Sequence, residues 1–201
     1  MKIGIIGAAT VGITLGERFA AAGHKVLITN SRGPETLSDK LAKMRQPLEP
    51  VTLPELVDQA EMIVLALPWQ KVSDVLRSDI DWHRRVVVDA MNIFRSYSPI
   101  EVDDLKGDSG SEIVSRLAQS ARVVKAFNTL PFETMFAPAP AGFRRVLFVA
   151  GDDPNAVSTV SGLIDEIGFQ PVAIGELPTA GRQMELGGVF SRLELFAADV
   201  R

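Results

Sequence analysis

The stretch Lys2-Ile3-Gly4-Ile5-Ile6-Gly7-Ala8-Ala9-Thr10-Val11-Gly12 decides the fold. Lys2–Ile6 is a short run of β-branched residues that stops at Gly7, and residues 12–22 continue in helix-forming residues as far as Gly23. Strand, tight turn and helix therefore follow one another directly. Lys25–Thr29 repeats the buried-strand pattern, so the opening of the chain reads as one βαβ unit with a right-handed crossover.

Working outward, the same alternation persists. Helices are expected over residues 34–43, Leu53–Gln59, 70–76, 111–117 (capped by Ser111) and 153–167, the last stopped at Gly168. Apolar strands are expected over residues 61–67, 84–89, 122–124, 145–150 and 170–174, with a loop over 90–110 and an irregular stretch over 132–142. The pattern predicts an α/β fold, a doubly wound and mostly parallel Rossmann-type sheet with helices on both faces. Residues 1–176 form the nucleotide-binding domain on this reading. Residues 177–201, with Gly181, Gly187 and Gly188, read as a loop and short helix belonging to the same domain.

Gly7 to Gly12 occupies the strand-to-helix turn, where free backbone N–H groups and the positive end of the helix dipole receive a phosphate. The segment nearly matches the G-x-G-x-x-G pattern, with Ala9 in place of the middle glycine that admits close approach of the pyrophosphate. A phosphate there sits slightly farther out or is bridged by the Thr10 hydroxyl. Gly7, Ala9, Thr10, Val11 and Gly12 are the expected contacts. The alternative is a glycine turn that serves helix packing alone.

The end of the second strand selects the cofactor. An NAD site places a carboxylate there for the ribose 2′-hydroxyl, whereas this chain has Asn30-Ser31-Arg32-Gly33. Arg32 can pair with a 2′-phosphate in a bidentate, charge-assisted manner and Ser31 can add a hydrogen bond, which favours NADP(H). Thr36 and Lys40 are placed to assist; the alternative for Arg32 is a solvated loop residue.

Three more strand ends fall on the same edge of the sheet, at residues 66–69, 89–92 and 125–129. Leu67 and Pro68 would wall the path from adenosine to nicotinamide, and Asn92 and Asn128 would hydrogen-bond the carboxamide or an incoming substrate. The alternative is that Trp69 and Phe127 anchor the core and the asparagines satisfy turns. His24 and His83 lie toward the opposite edge, and no H-E-x-x-H, G-x-S-x-G, P-loop lysine or metal-ligand spacing occurs. No catalytic acid, base or metal site is assigned. Hydride transfer between two aligned rings needs orientation more than proton donors, so it is the expected chemistry.

Composition narrows the remaining classes. The chain has 201 residues, no cysteine and a net charge of −4 with its 21 basic residues dispersed, which argues against thiolate chemistry, nucleic acid and anionic membranes. No apolar run approaches the roughly 20 residues of a membrane span, and the opening lacks the features of a signal peptide. The expected location is the cytoplasm.

Taken together, the segment 7–12, the string Asn30-Ser31-Arg32-Gly33-Pro34-Glu35, Leu67-Pro68-Trp69, Lys125-Ala126-Phe127-Asn128-Thr129-Leu130 and Val149-Ala150-Gly151-Asp152-Asp153 resemble the NADPH-dependent reductases of the deazaflavin coenzyme F420. The resemblance implies direct hydride transfer between nicotinamide and deazaflavin. It implies that Thr10, Val11, Ser31, Arg32, Leu67 and Pro68 touch the dinucleotide, and that residues 128–131 and the Gly187-Gly188 region border the second ring. The expected function is an oxidoreductase linking NADP(H) to a flat acceptor, a deazaflavin or a flavin, and the expected assembly is a homodimer. The alternatives are an NADPH-dependent reductase of another small molecule or of chelated iron, and a non-catalytic NADP(H)-binding sensor.

Overall fold

A computed structural model describes residues 1–76 and 80–199. In chain order its elements are β1 (Lys2–Ile6), α1 (Thr10–Ala21), β2 (Lys25–Thr29), a 3-10 turn (Pro34–Leu37) leading into α2 (Ser38–Leu41), β3 (Glu49–Pro50), α3 (Leu53–Gln59) and β4 (Met62–Leu65). A 3-10 turn (Trp69–Lys71) leads into α4 (Val72–Val75), followed by β5 (Val86–Asp89), the hairpin β6 (Phe94–Tyr97) and β7 (Ile100–Val102), α5 (Gly110–Leu117) and β8 (Arg122–Lys125). Then come α6 (Phe132–Phe136), β9 (Phe143–Gly151), α7 (Pro154–Glu166), β10 (Gln170–Gly175), a π-helical turn (Leu177–Gly181) and β11 (Phe196–Ala198).

The main sheet runs β10-β9-β8-β5-β4-β1-β2-β3, with β11 antiparallel on β9. From β3 through β8 every pairing is parallel. Strands β1, β4, β5 and β8 therefore deliver their carboxyl ends to one edge. The order reverses direction on the two sides of β1, which opens a crevice at that edge. Both faces are covered. Ile3, Ile5 and Val64 pack with Leu15 and Phe19 of α1 and with Val160 and Leu163 of α7. Ile6, Leu27 and Ile63 pack with Leu56 and Val57 of α3, Val72 of α4 and Val114 of α5. Strands buried on both sides explain why β4 and β5 read as unbroken apolar runs.

β9 departs from the parallel pattern. It pairs antiparallel with β8 through Val124↔Gly151 and Lys125↔Ala150, so its earlier residues project past the carboxyl edge of β8. β10 then pairs parallel to β9. Asp153 consequently lies beside Arg122, at the opposite edge from the crevice.

Several local expectations are corrected. The cap of α5 is Ser109, in a reciprocal capping box with Glu112, and Ser111 lies inside the helix. Residues 90–110 contain the β6–β7 hairpin, and residues 132–142 contain α6, with Pro131 before its first turn. The helix expected over 34–43 is a 3-10 turn and one α-turn. In the segment read as 177–201 the helical turn comes first and a strand, β11, comes last. Long-range pairing with β9 creates that strand, since Phe196-Ala197-Ala198 has little strand signal of its own. Val200 and Arg201 lie outside the described residues.

Candidate active site

A cavity of about 420 Å³ opens at the carboxyl edge, lined by residues from the ends of β1, β4, β5 and β8, from α6 and from the C-terminal segment. The predicted residues Ala9, Thr10, Val11, Leu67, Pro68, Asn92 and Asn128 all line it. Gly7 and Gly12 lie beneath its floor and shape the turn. Gly7 has φ +117, and a Cβ there would meet the Ala66 carbonyl oxygen at 2.1 Å; a Cβ on Gly12 would meet the Gly7 carbonyl oxygen at 1.9 Å. These two positions hold α1 tightly on β1 and β4. Ala9 precedes the helix with extended backbone and gives no side-chain cap. The N–H groups of the first turn of α1 therefore face the crevice without a protein acceptor from the cap, as an anion site requires.

Ser31 and Arg32 do not line the cavity. They stand exposed at the end of β2, beyond the phosphate turn. Their loop is nonetheless built: the Arg32 N–H donates to Asn30 Oδ1 at 3.0 Å, Asn30 Nδ2 donates to Thr36 Oγ1 at 2.9 Å, and Thr36 Oγ1 donates to the Gly33 carbonyl at 2.8 Å. Lys40 reaches back to the Ala8 carbonyl at 2.9 Å, which brings its ammonium to the phosphate turn. The Arg32 guanidinium forms no ion pair among the described residues.

At the other end, Asn92 and Asn128 face each other across β5 and β8. Asn92 Nδ2 donates to the Asn128 carbonyl at 3.2 Å, and Asn128 Nδ2 donates to Asn92 Oδ1 at 3.3 Å and to the Met184 carbonyl at 2.9 Å. These bonds orient the Asn128 amide and leave its Oδ1 buried with no partner among the described residues. Phe127, buried, holds φ +63, a conformation rare for aromatic residues, where β8 gives way to this wall.

Residues 128–131 line the cavity, but Gly187 and Gly188 do not; Leu186, Ser191 and Arg192 do. A Cβ on Gly188 would strike the Gln183 backbone at 2.3 Å, so that glycine serves the turn of the C-terminal segment. Trp69 is a core anchor, with its Nε1–H donated to Asp103 Oδ2 at 2.9 Å.

Sequence reasoning missed the buried polar cluster under the cavity floor. Asp89 and Lys125 are register partners at the ends of β5 and β8, each 1 % exposed. Lys125 Nζ lies 2.9 Å from Asp89 Oδ2 and donates to the Met91 carbonyl at 3.1 Å; Ser111 Oγ donates to Asp89 Oδ2 at 2.6 Å, and the Met91 N–H donates to Asp89 Oδ1 at 3.0 Å. Glu185 Oε1 accepts the Gly110 N–H at 2.6 Å, and burial raises its carboxyl above the ordinary range against the opposing pull of Lys125. The cluster fixes Met91-Asn92 and the Met184-Glu185 segment, from which the cavity wall hangs.

A family model described as NADP oxidoreductase, coenzyme F420-dependent, matches residues 2–93, the part holding the phosphate turn, the Arg32 loop and the ends of β4 and β5. Residues 2–93 of the chain are thus similar to that family. Three similar proteins span most of the chain. A hypothetical protein, SMa0349, of Sinorhizobium meliloti has a solved structure 37% identical, covering 98% of this chain and 96% of its own, at a TM-score of 0.88. A solved structure described as a candidate F420-dependent NADP-reductase, from Arthrobacter sp. FB24, is 26% identical over 92% of this chain and 89% of its own, at a TM-score of 0.79. The metalloreductase STEAP3 of Rattus norvegicus is 30% identical over 186 residues, which is 92% of this chain. The chain spans 36% of that relative's length. Among the described residues no helix is long and apolar enough to cross a membrane.

Proposed function

We propose that this chain transfers a hydride directly between NADP(H) and a flat redox acceptor, a deazaflavin such as coenzyme F420 or a flavin. The observation that carries the proposal is the continuity of the site. An uncapped helix N-terminus and a free Arg32 lie at one end, and an apolar slot bordered by the hydrogen-bonded Asn92–Asn128 pair lies at the other.

The residues fit a dinucleotide. The first-turn N–H groups and the Thr10 hydroxyl would receive the pyrophosphate, Ser31 and Arg32 the 2′-phosphate, and Asn92 and Asn128 would border the carboxamide or the incoming substrate. Leu67 and Pro68 would wall the path between them. NADP(H), when bound, supplies the hydride. No carboxylate or imidazole lines the cavity among the described residues, so the chain contributes orientation and exclusion of water. Phe94, Tyr97 and Phe132 provide the flat walls an aromatic acceptor needs. Tyr97, Ile100 and Val102 are exposed on the hairpin beside the cavity mouth, apolar surface that a second copy would cover; a homodimer and a cytoplasmic setting belong to the same proposal.

The experiment is a titration with NADPH and with NADH, followed by oxidised F420, a flavin, or chelated ferric iron added to the tighter complex while nicotinamide absorbance is followed. Loss of absorbance with the deazaflavin or flavin supports the proposal. Loss with chelated iron alone favours a metalloreductase activity, the reading that similarity to the rat protein supports. Binding without turnover indicates a sensor.

A further inference from the structure

The cavity holds one charge that the dinucleotide reading leaves unused. Arg192 is the single charged residue among its described lining residues, and its guanidinium makes no hydrogen bond or ion pair among the described residues. Its backbone is pinned: the N–H donates to the Thr129 carbonyl at 2.6 Å, and φ is +61, a left-handed conformation that side-chain-bearing residues seldom adopt. An exposed cation on this fixed backbone, with no carboxylate among the cavity's described lining residues, is placed for an anion that comes from outside.

The backbone anchor of Arg192 stands away from the phosphate turn. Thr129 follows β8, which lies three strands from β1 in the order β8-β5-β4-β1. At about 4.8 Å per strand, the anchor of Arg192 sits roughly 14 Å along the edge from the strand that leads into the phosphate turn. β2, which carries Arg32, lies one strand farther in the same direction. The same cavity is lined by the aromatic and apolar side chains of Phe94, Tyr97, Phe132 and Leu186.

We propose that the acceptor is a flat heteroaromatic molecule bearing an anionic group, a phosphate or carboxylate, and that Arg192 selects it by pairing with that group. The proposal rests on reading the apolar end of the cavity as the acceptor site. Arg192 acts on specificity and has no part in moving the hydride.

The test is a fluorescence titration of the full chain, saturated with NADP+, with riboflavin and with riboflavin 5′-phosphate, which share a ring and differ in one anionic group. The phosphate form binds at least about tenfold tighter, the worth of a charge-assisted hydrogen bond. Arg192→Asn, chosen because asparagine tolerates the left-handed backbone, removes that preference without changing NADP+ affinity, and Arg192→Lys keeps part of it. Equal affinities in the wild-type chain, a preference that survives in Arg192→Asn, or no binding of either flavin overturns the proposal. So does a parallel loss of NADP+ binding in Arg192→Asn, which would assign the guanidinium to the dinucleotide. Because the preference is read without turnover, a chain that shows it but reduces neither flavin contradicts hydride transfer to flavins and leaves the role of Arg192 standing.

Discussion

Arg32 and Gly12 act at the same end of the site by different physics. The Arg32 guanidinium is exposed and its loop is ordered by the Asn30–Thr36–Gly33 hydrogen bonds, so little reorganisation would precede the proposed pairing with a 2′-phosphate. Arg32→Ala is expected to weaken NADPH binding by about 1.5–3 kcal/mol and leave NADH nearly unchanged, as isothermal titration with the two nucleotides would show. Equal losses for both would assign Arg32 elsewhere. Gly12 matters through volume. A methyl group 1.9 Å from the Gly7 carbonyl oxygen forces α1 away from the turn, so Gly12→Ala should cost about 1–3 kcal/mol of stability and also lose nucleotide affinity, measured by urea denaturation and NADPH titration. The residue types at both places were legible in the sequence because each has a local signature. Arg192 has none. Its place in the cavity comes from a chain return that begins some sixty residues after β8, and no local pattern reports it.

Elements meet beneath the cavity through the ends of β5 and β8. Lys125→Met would leave the Asp89 carboxylate buried without its partner, and an unpaired buried charge costs about 3–5 kcal/mol. Urea denaturation should show this loss, with partial recovery in the double variant carrying Asp89→Asn as well. Glu185 ties the C-terminal segment to α5 and has a different signature. Its carboxyl is raised in the folded protein, so between its ordinary value and the raised one the native state binds more protons than the unfolded state. Its contribution to stability is present at acid pH and is lost as pH rises through that window. Glu185→Gln should flatten this component of the pH dependence of Tm, and an unchanged profile would exclude Glu185 as its source. The strands of this region were readable because they are buried on both faces and uniformly apolar. The ion pair was not, since Asp89 and Lys125 are 36 residues apart and become neighbours only through the β5–β8 register. β6 and β7, four and three residues long, are too short for alternation to separate strand from loop. The capping of α5 was written in Ser109-x-x-Glu112, two residues earlier than the Ser111 cap expected, and Ser111 instead donates to Asp89.

At the scale of the molecule, the parallel half of the sheet makes the nucleotide edge, and the reversal at β9 makes the opposite wall. β9 rises past the carboxyl edge of β8, where Arg145 holds the carbonyls of Met135 and Ala137 and so fixes α6 against the cavity. β11 closes on β9 and returns the C-terminal segment toward the site. Alternation of strands and helices announced the nucleotide half. The reversal left no trace in it, because β9-α7-β10 has the same local pattern whichever way it runs. On the proposed function, a hydride passes between two molecules held face to face between these halves. The direct measurement uses NADPH deuterated at either face of nicotinamide C4, mixed with the protein and oxidised deazaflavin, with mass spectrometry of the reduced product. One of the two labelled forms is expected to deliver its deuterium to the carbon-bound position of the reduced deazaflavin. Reduced product without deuterium from either form, or NADPH binding with no reduced product, would contradict direct hydride transfer.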